Sequence, residues 1–279
     1  LEKVTGIESR FLANFSPGVD DARSRLQWAS KRSTTRPEDI AYSLFGIFNL
    51  HLPILYGKSA ENALGRLLAE ITSQSGDISI LDWIGEASSF HSCFPAHITS
   101  YQTLPSSPSL HAEEESSPMS QLPATSRALR RLHRLLADSA LPQFINRRLI
   151  LPCIVHRVIA VQPQGGDPST PSYTYKIQAS GLKPLEITLP DKLEEAAMEQ
   201  GALQVVRPWH SKLLGLPGKL DAMAEEQLVF TLRRPFNALL LMRLPHNEYK
   251  RIASSTLVSV QLVDSPSVLQ TKLQTLTIV

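Results

Sequence analysis

The sequence predicts an α+β protein, with a helical N-terminal region followed by a mostly antiparallel β-sandwich or barrel-like C-terminal domain. Three observations predict it. Apolar residues recur at spacings of three and four through residues 19–75, the period of an amphipathic helix. From Arg148 onward they recur at every second position and are drawn mainly from Val, Ile and Leu. Between the two lies a stretch, 102–126, with four prolines, seven serines and the run Glu113-Glu114-Glu115, a composition that suits a linker or loop and neither periodic region. The expected division is therefore 1–100 helical, 101–126 linker, and 127–279 strand-rich with a leading basic helix.

The first element expected is a helix over 19–30, with Ala22, Leu26 and Ala29 inward and Arg23, Arg25 and Gln27 on its polar face. The next start signal is Thr35 ahead of Arg36-Pro37-Glu38-Asp39, because proline suits a first turn and carboxylates complement the positive end of the helix dipole. From there Ile40, Ala41, Leu44, Phe45 and Phe48 form one apolar stripe that Asn49 ends. His51-Leu52-Pro53-Ile54-Leu55-Tyr56-Gly57 is too short and proline-broken for a helix and reads as an extended or turning connection. Ser59 caps a further helix through Ala63, Leu64, Leu67, Leu68 and Ile71, stopped at Ser75-Gly76. Ile78, Ile80, Leu81 and Trp83 suggest a short buried strand or extended segment leading out of this region.

After the linker, Ser126 opens a basic amphipathic helix to Asp138, with Leu129, Leu132 and Leu136 set among Arg127, Arg130, Arg131, His133 and Arg134. Strands are expected over 149–161, 173–178, 185–189, 203–206, 228–232, 238–242, 257–263 and 273–279, with a crossover helix over 191–200. Gly165-Gly166-Asp167-Pro168, Gly181, Pro217-Gly218 and Pro245-His246-Asn247 supply turns between them.

Composition excludes several functional classes. A formal net charge of +2 across 279 residues is too small to demand nucleic acid or an anionic membrane as an obligate partner. The two cysteines, Cys93 and Cys153, have no Cys-x-x-Cys or Cys/His ligand spacing, so no zinc module is encoded, and both read as buried thiols of a reducing, cytoplasmic setting. The longest apolar stretch, 40–55, is interrupted by Asn49, His51 and Pro53, short of the roughly 20 apolar residues of a membrane span. Leu1 in place of methionine, and no basic-then-apolar leader, lead us to expect an internal piece of a longer product. No catalytic, cofactor or metal residue is assigned from the pattern.

The segment Trp28 to Phe48, read WASKRSTTRPEDIAYSLFGIF, resembles the "WAs.R.TTr.EDiAYsL.GiF" stretch of fungal heterokaryon-incompatibility (HET) domain proteins. Leu52-Pro53-Ile54-Leu55-Tyr56-Gly57 resembles that family's "mPlLYGEG" turn. Leu64 to Ser75, followed by Asp77, Ser79, Ile80, Leu81 and Trp83, resembles its "F.rLQ.EIi..S.D.SIlaW" ending. Two positions depart from the pattern, since Lys58 replaces an acidic residue and Ala69 replaces a glutamine. The motif residues carried over are Trp28, Arg32, Thr34, Thr35, Arg36, Glu38, Asp39, Tyr42, Gly46, Leu55, Tyr56 and Gly57. The match covers the later part of the family's domain. Its earlier half, similar to a Toll/interleukin-receptor-type sheet and ending in "GW..QE", has no counterpart in this chain. The tail, including Val206-Arg207-Pro208-Trp209 and Tyr249 to Ala253, is similar to the strand-rich region that follows the domain in mushroom-type members.

The resemblance implies an interaction or regulatory portion of a fungal non-self-recognition protein linked to programmed cell death. Its implied partners are an unidentified protein and the upstream HET half of the same polypeptide. An alternative is a fragment of an enzyme that hydrolyses nicotinamide dinucleotide, its catalytic half missing. A third reading takes the 127–134 arginine helix as a module for nucleic acid or an acidic surface, although a solvated face explains those arginines more simply. Bland roles also compete for the motif. Carboxylates and arginines at a helix start serve dipole and pairing, and Trp28, Tyr42 and Tyr56 serve packing. Cys153 and His156, three apart in a strand, point to opposite faces and make a poor nucleophile–base pair. His51 and His210 have no partner at metal-ligand spacing.

Overall fold

A computed structural model describes residues 15–103, 126–164, 172–214, 222–264, 267–268 and 271–279. Glu113-Glu114-Glu115, most of the expected linker, and the turns at 165–168 and 217–218 lie outside the described residues.

Helix α1 (Ala22–Ala29) buries Ala22, Leu26 and Ala29 as its spacing predicts. Its expected polar face does not stay in water. Arg23 and Arg25 are buried and donate to backbone carbonyls instead. The stripe after Thr35 is interrupted, giving one turn at α2 (Asp39–Tyr42) and one at α3 (Phe45–Phe48). Thr35 caps neither. Glu38 precedes the first helical residue with no side-chain cap, and the neighbouring Thr34 hydroxyl is spent on the Arg36 carbonyl. Asn49 ends α3 in the left-handed conformation, φ 54°.

Helix α4 (Ala60–Ser75) matches its sequence signals. The Ser59 side chain accepts from the Asn62 amide at 3.1 Å, and Gly76 closes the helix at φ +62°, a conformation glycine adopts without strain. Leu64, Leu67, Leu68 and Ile71 are its buried face. Gly65 lies on that face because the ring of Phe90 crosses it: a Cβ there would stand 2.5 Å from Phe90 Cγ and Cδ1 and 2.9 Å from its Cβ. Alanine would improve helix propensity by about 1 kcal/mol, yet overpacking at the root of a ring costs typically 1–3 kcal/mol. We therefore expect Gly65→Ala to destabilise by about 1 kcal/mol net, read as a lower urea midpoint; a raised midpoint would show that Phe90 moves freely. The strand expected at 78–83 is a 3-10 turn, Ile78–Leu81, because the Asp77 carboxylate takes the Ser79 amide and bends the chain at once. A second 3-10 turn, Ile98–Tyr101, buries Tyr101.

Helix α5 (Ser126–Ala137) leads into strands β1 (Gln143–Ile145) and β2 (Arg148–Pro163). β2 organises the strand-rich region. It pairs antiparallel with β1, with β3 (Tyr173–Ala179), with β5 (Leu203–Pro208) and with β10 (Leu273–Ile278). One strand reaches so many partners because it is 16 residues long and its register with β3 shifts between Val158 and Ala160, which bends the strand. β3 carries β4 (Leu185–Leu189) on its other edge.

β5 pairs with β7 (Leu239–Arg243), β7 with β8 (Glu248–Ile252), and β8 with β10, which returns to β2. Five strands thus close into a ring, the barrel-like form of the expectation. The β8–β10 ladder is parallel and the others are antiparallel. A separate two-stranded ladder joins β6 (Phe236–Asn237) to β9 (Ser259–Val260).

Three sequence expectations fail here. The strand at 228–232 is helical, within α7 (Ala222–Arg233); Leu228 and Leu232, four apart, are buried while Phe230 between them is exposed, whereas a strand would put all three on one face. The strand at 257–263 shrinks to β9 plus a bridge from Leu182 to Leu262. The crossover helix at 191–200 is one turn, α6 (Glu195–Met198).

Successive strand residues feed two cores. Leu149, Leu151 and Cys153 of β2, Leu239 and Leu241 of β7, and Leu276 and Ile278 of β10 join α1–α4, Trp83 and Tyr101 in one cluster. Ile154 and Val158 of β2, Val205 of β5 and Leu240 of β7 join α5, α7, β3 and β4 in the other. The helical segment and the ring therefore share a core.

Candidate functional site

Of the motif residues, Arg36 and Tyr42 meet Leu55 and Tyr56 at the loop 51–57. The Tyr42 hydroxyl donates to the Leu55 carbonyl at 2.8 Å and accepts from the Leu55 amide at 3.2 Å, so a single side chain from α2 fixes the loop backbone. Arg66 of α4 donates to the Pro53 carbonyl at 2.9 Å from the other side. Gly57 turns the chain at φ +83°.

So anchored, the loop displays its apolar side chains: Ile54 is 53% exposed, Leu55 43% and Tyr56 57%. Tyr56 meets Tyr42 edge-on at 5.8 Å, and the Arg36 guanidinium stands 4.8 Å over the Tyr56 ring. Gly46 is exposed with open space around it. Thr35 and Arg32 are exposed, Thr34, Glu38 and Asp39 are half-buried, and Trp28 is half-buried on α1. Packing accounts for Tyr42. It does not account for Ile54, Leu55 and Tyr56, three adjacent large side chains on a loop held rigidly by hydrogen bonds.

A second polar cluster sits where the helical segment meets the ring, and joins Leu81 and Trp83 of the 64–83 stretch to Arg251 of the 249–253 stretch. Arg251 of β8 is buried and lies 3.9 Å over the Trp83 ring, donating to the carbonyls of Leu81 at 2.8 Å and Trp83 at 3.2 Å. Arg23 donates to the carbonyls of Asp82 at 2.8 Å, Tyr101 at 3.0 Å and Thr103. Between them the Asp82 carboxylate accepts from the Asn237 side chain at 3.2 Å. Burial pushes Asp82 up to about 6, against the opposing pull of Asn237, Arg251 and Arg23. His91 accepts the Cys93 amide at Nδ1, so its Nε2–H donates to the Ile278 carbonyl at 2.9 Å; burial draws it down to about 4. Every named contact of Arg23 and Arg251 but their ring stacking is to main-chain oxygen, which is the geometry of a structural clamp. The sequence does not reveal the pairing because the arginines are 59 to 170 residues apart from the carbonyls they bind.

The remaining candidates separate. Cys153 belongs to the first core, while His156 stacks on Phe236 of the second at 6.1 Å and hydrogen-bonds the Ser180 carbonyl through Nδ1. Burial raises both thiols, Cys93 to about 12, and neither forms a disulfide. His51 is exposed. His210 is buried, accepting the Lys212 amide at Nδ1. Among the described residues no group of three or more His, Cys, Asp or Glu is placed to hold a metal, and no helix is long and apolar enough to cross a membrane.

Fold and surface thus define a small closed β-ring with a helical segment packed on it, presenting an apolar loop anchored by hydrogen bonds. Over 81 residues the chain is 42% identical to the vegetative incompatibility protein HET-E-1 of Podospora anserina, an overlap of 29% of this chain and 6% of that protein. The likeness extends no further than that overlap, and the chain spans a small part of its relative's length. No family model matches the chain, and no solved structure matches it.

Proposed function

We propose that this chain is the interaction and regulatory portion of a fungal non-self-recognition protein whose output is programmed cell death, and that the loop 51–57 is its docking face. The observation that supports this most is the exposure of Ile54, Leu55 and Tyr56 on a loop pinned by Tyr42 and Arg66, in a chain 42% identical over 81 residues to a vegetative incompatibility protein. Aromatic and aliphatic side chains bordered by arginine are the composition of interface centres, where a few such residues carry most of the binding energy. The partner is a protein surface, either the upstream half of the same polypeptide or a separate trigger.

The test is a Leu55→Ser/Tyr56→Ser variant of the intact fungal protein. Both positions are exposed, and the variant gives up the contacts of Tyr56 with Tyr42 and Arg36, so the unfolding free energy should fall by only about 1–2 kcal/mol. The incompatibility reaction between fused hyphae should fall at least tenfold, the loss of a single hot spot of about 1.4 kcal/mol or more. A full reaction from the variant at equal protein level rules out the loop as the docking face.

A further inference from the structure

Helix α5 is held on the second core by Leu129, Leu132 and Leu136, with Trp209 Nε1 donating to the Leu136 carbonyl at 3.0 Å. With successive residues about 100° apart on a helix, Arg127, Arg131 and Arg134 fall on an arc centred opposite those leucines. All three are exposed. Arg130 is exposed on the same arc. Leu135, beside Arg131 on the wheel, is 49% exposed.

Helix α7 packs against α5, and the C-terminal turns of both are tied to β5: Arg207 donates to the carbonyls of Thr231 and Leu232, two residues before the Trp209 that holds Leu136. α7 adds exposed Arg233 and Phe230, 54% exposed, and the residue after the helix, exposed Arg234, sets its guanidinium 5.6 Å over the Phe230 ring. Asp138 is an exposed carboxylate at the end of α5 that subtracts from this charge.

Helix dipoles explain part of the pattern, because Arg134 and Arg233 sit in last turns where positive charge is favoured. Arg127 is at the opposite end of α5, where the same field disfavours it and no acidic residue shares the first turn. A charge kept against its local preference points to a surface role.

We propose that this face, the outward arginines of α5 with Arg233, Arg234, Leu135 and Phe230, docks on an anionic lipid surface. Headgroup phosphates and carboxylates take the arginines, and the interfacial layer accepts Leu135 and Phe230, which water does not. Single-stranded nucleic acid fits less well. It requires a groove tracking the backbone and aromatic platforms for successive bases, whereas this face is a convex helix carrying one phenylalanine.

The experiment is sedimentation of the full chain with mixed phosphatidylserine–phosphatidylcholine vesicles, with pure phosphatidylcholine vesicles alongside. The mixed vesicles should bind the chain, less so as salt rises, and the pure ones should not. Each arginine near the surface contributes roughly fivefold, so Arg127→Gln/Arg131→Gln/Arg134→Gln should weaken binding by about 100-fold. All three positions are exposed, so the variant's circular dichroism and urea midpoint should match the parent. Failure to sediment, equal binding to both vesicles, or an unaffected triple variant overturns the proposal. So does tighter, arginine-dependent binding of a single-stranded oligonucleotide, which would reassign the face. The inference is independent of the loop 51–57: the Leu55→Ser/Tyr56→Ser variant should keep its vesicle binding.

Discussion

Replacing Arg251 by methionine should destabilise the protein by about 3–5 kcal/mol, the range for removing one partner from a buried charged network. The substitution keeps an unbranched side chain under the Trp83 ring but removes the donors that satisfy the Leu81 and Trp83 carbonyls. Buried carbonyls left without a partner cost about 1–3 kcal/mol each. Lysine is no substitute, since a single ammonium cannot reproduce a planar fork that stacks on a ring and reaches several carbonyls at once. The urea midpoint reports the loss directly. A methionine variant with the parent's midpoint would mean that the 81–83 turn is held by apolar packing alone.

The second large effect is a pair of opposed pH dependences centred on the same junction. His91 is neutral in the folded protein, drawn down to about 4 by burial from an ordinary value near 6.5. Its depressed value contributes about 3 kcal/mol that is fully present above pH 6.5 and is lost as the pH falls to 4. Asp82 runs the other way. Its value, raised by burial from 3.8 to about 6, contributes about 3 kcal/mol that is present below pH 4 and is lost as the pH rises through 6.

Between pH 4 and 6 the two slopes oppose each other. Relative to the parent, an Asp82→Asn variant should therefore gain about 2 kcal/mol as the pH rises from 4 to 6, and a His91→Gln variant should lose about 2 kcal/mol over the same interval, the larger part of each full effect. Urea unfolding at pH 4, 5 and 6 measures both, and taking each variant against the parent removes the contribution of all other carboxylates. Parallel curves for parent and variants would place both groups in contact with water.

These two expectations and the docking proposals draw on different kinds of information. The elements set by local rules were legible in the sequence. The Ser59 cap, the leucine stripe and the Gly76 stop of α4 satisfy one another within the segment 59–76, so no distant contact is needed to choose that helix. The same holds for the turn at Gly57 and for the arginine and leucine faces of α5. Local rules misread the segment 228–232, where an aliphatic and aromatic run suits a strand in isolation but buries a helical pair, Leu228 and Leu232, against the second core. They also misread Arg23 and Arg25, whose place on α1 looks like a solvated face until carbonyls from 47, 82 and 101 are brought to them.

The sequence by itself determined the α+β class, the order of helical and strand-rich regions, the motif that marks the loop 51–57 and the amphipathic character of α5. These depend on periodicity and capping, which act over a few residues. Only the tertiary structure decided that β10 closes the ring by pairing with both β2 and β8. It alone decided that Arg251 belongs under Trp83, and that Tyr42 holds the loop so that Leu55 and Tyr56 face water. The physical reason is common to all three. Each depends on which buried donor finds which acceptor far along the chain, and that pairing is fixed by the closed geometry of the sheet rather than by the identity of neighbouring residues.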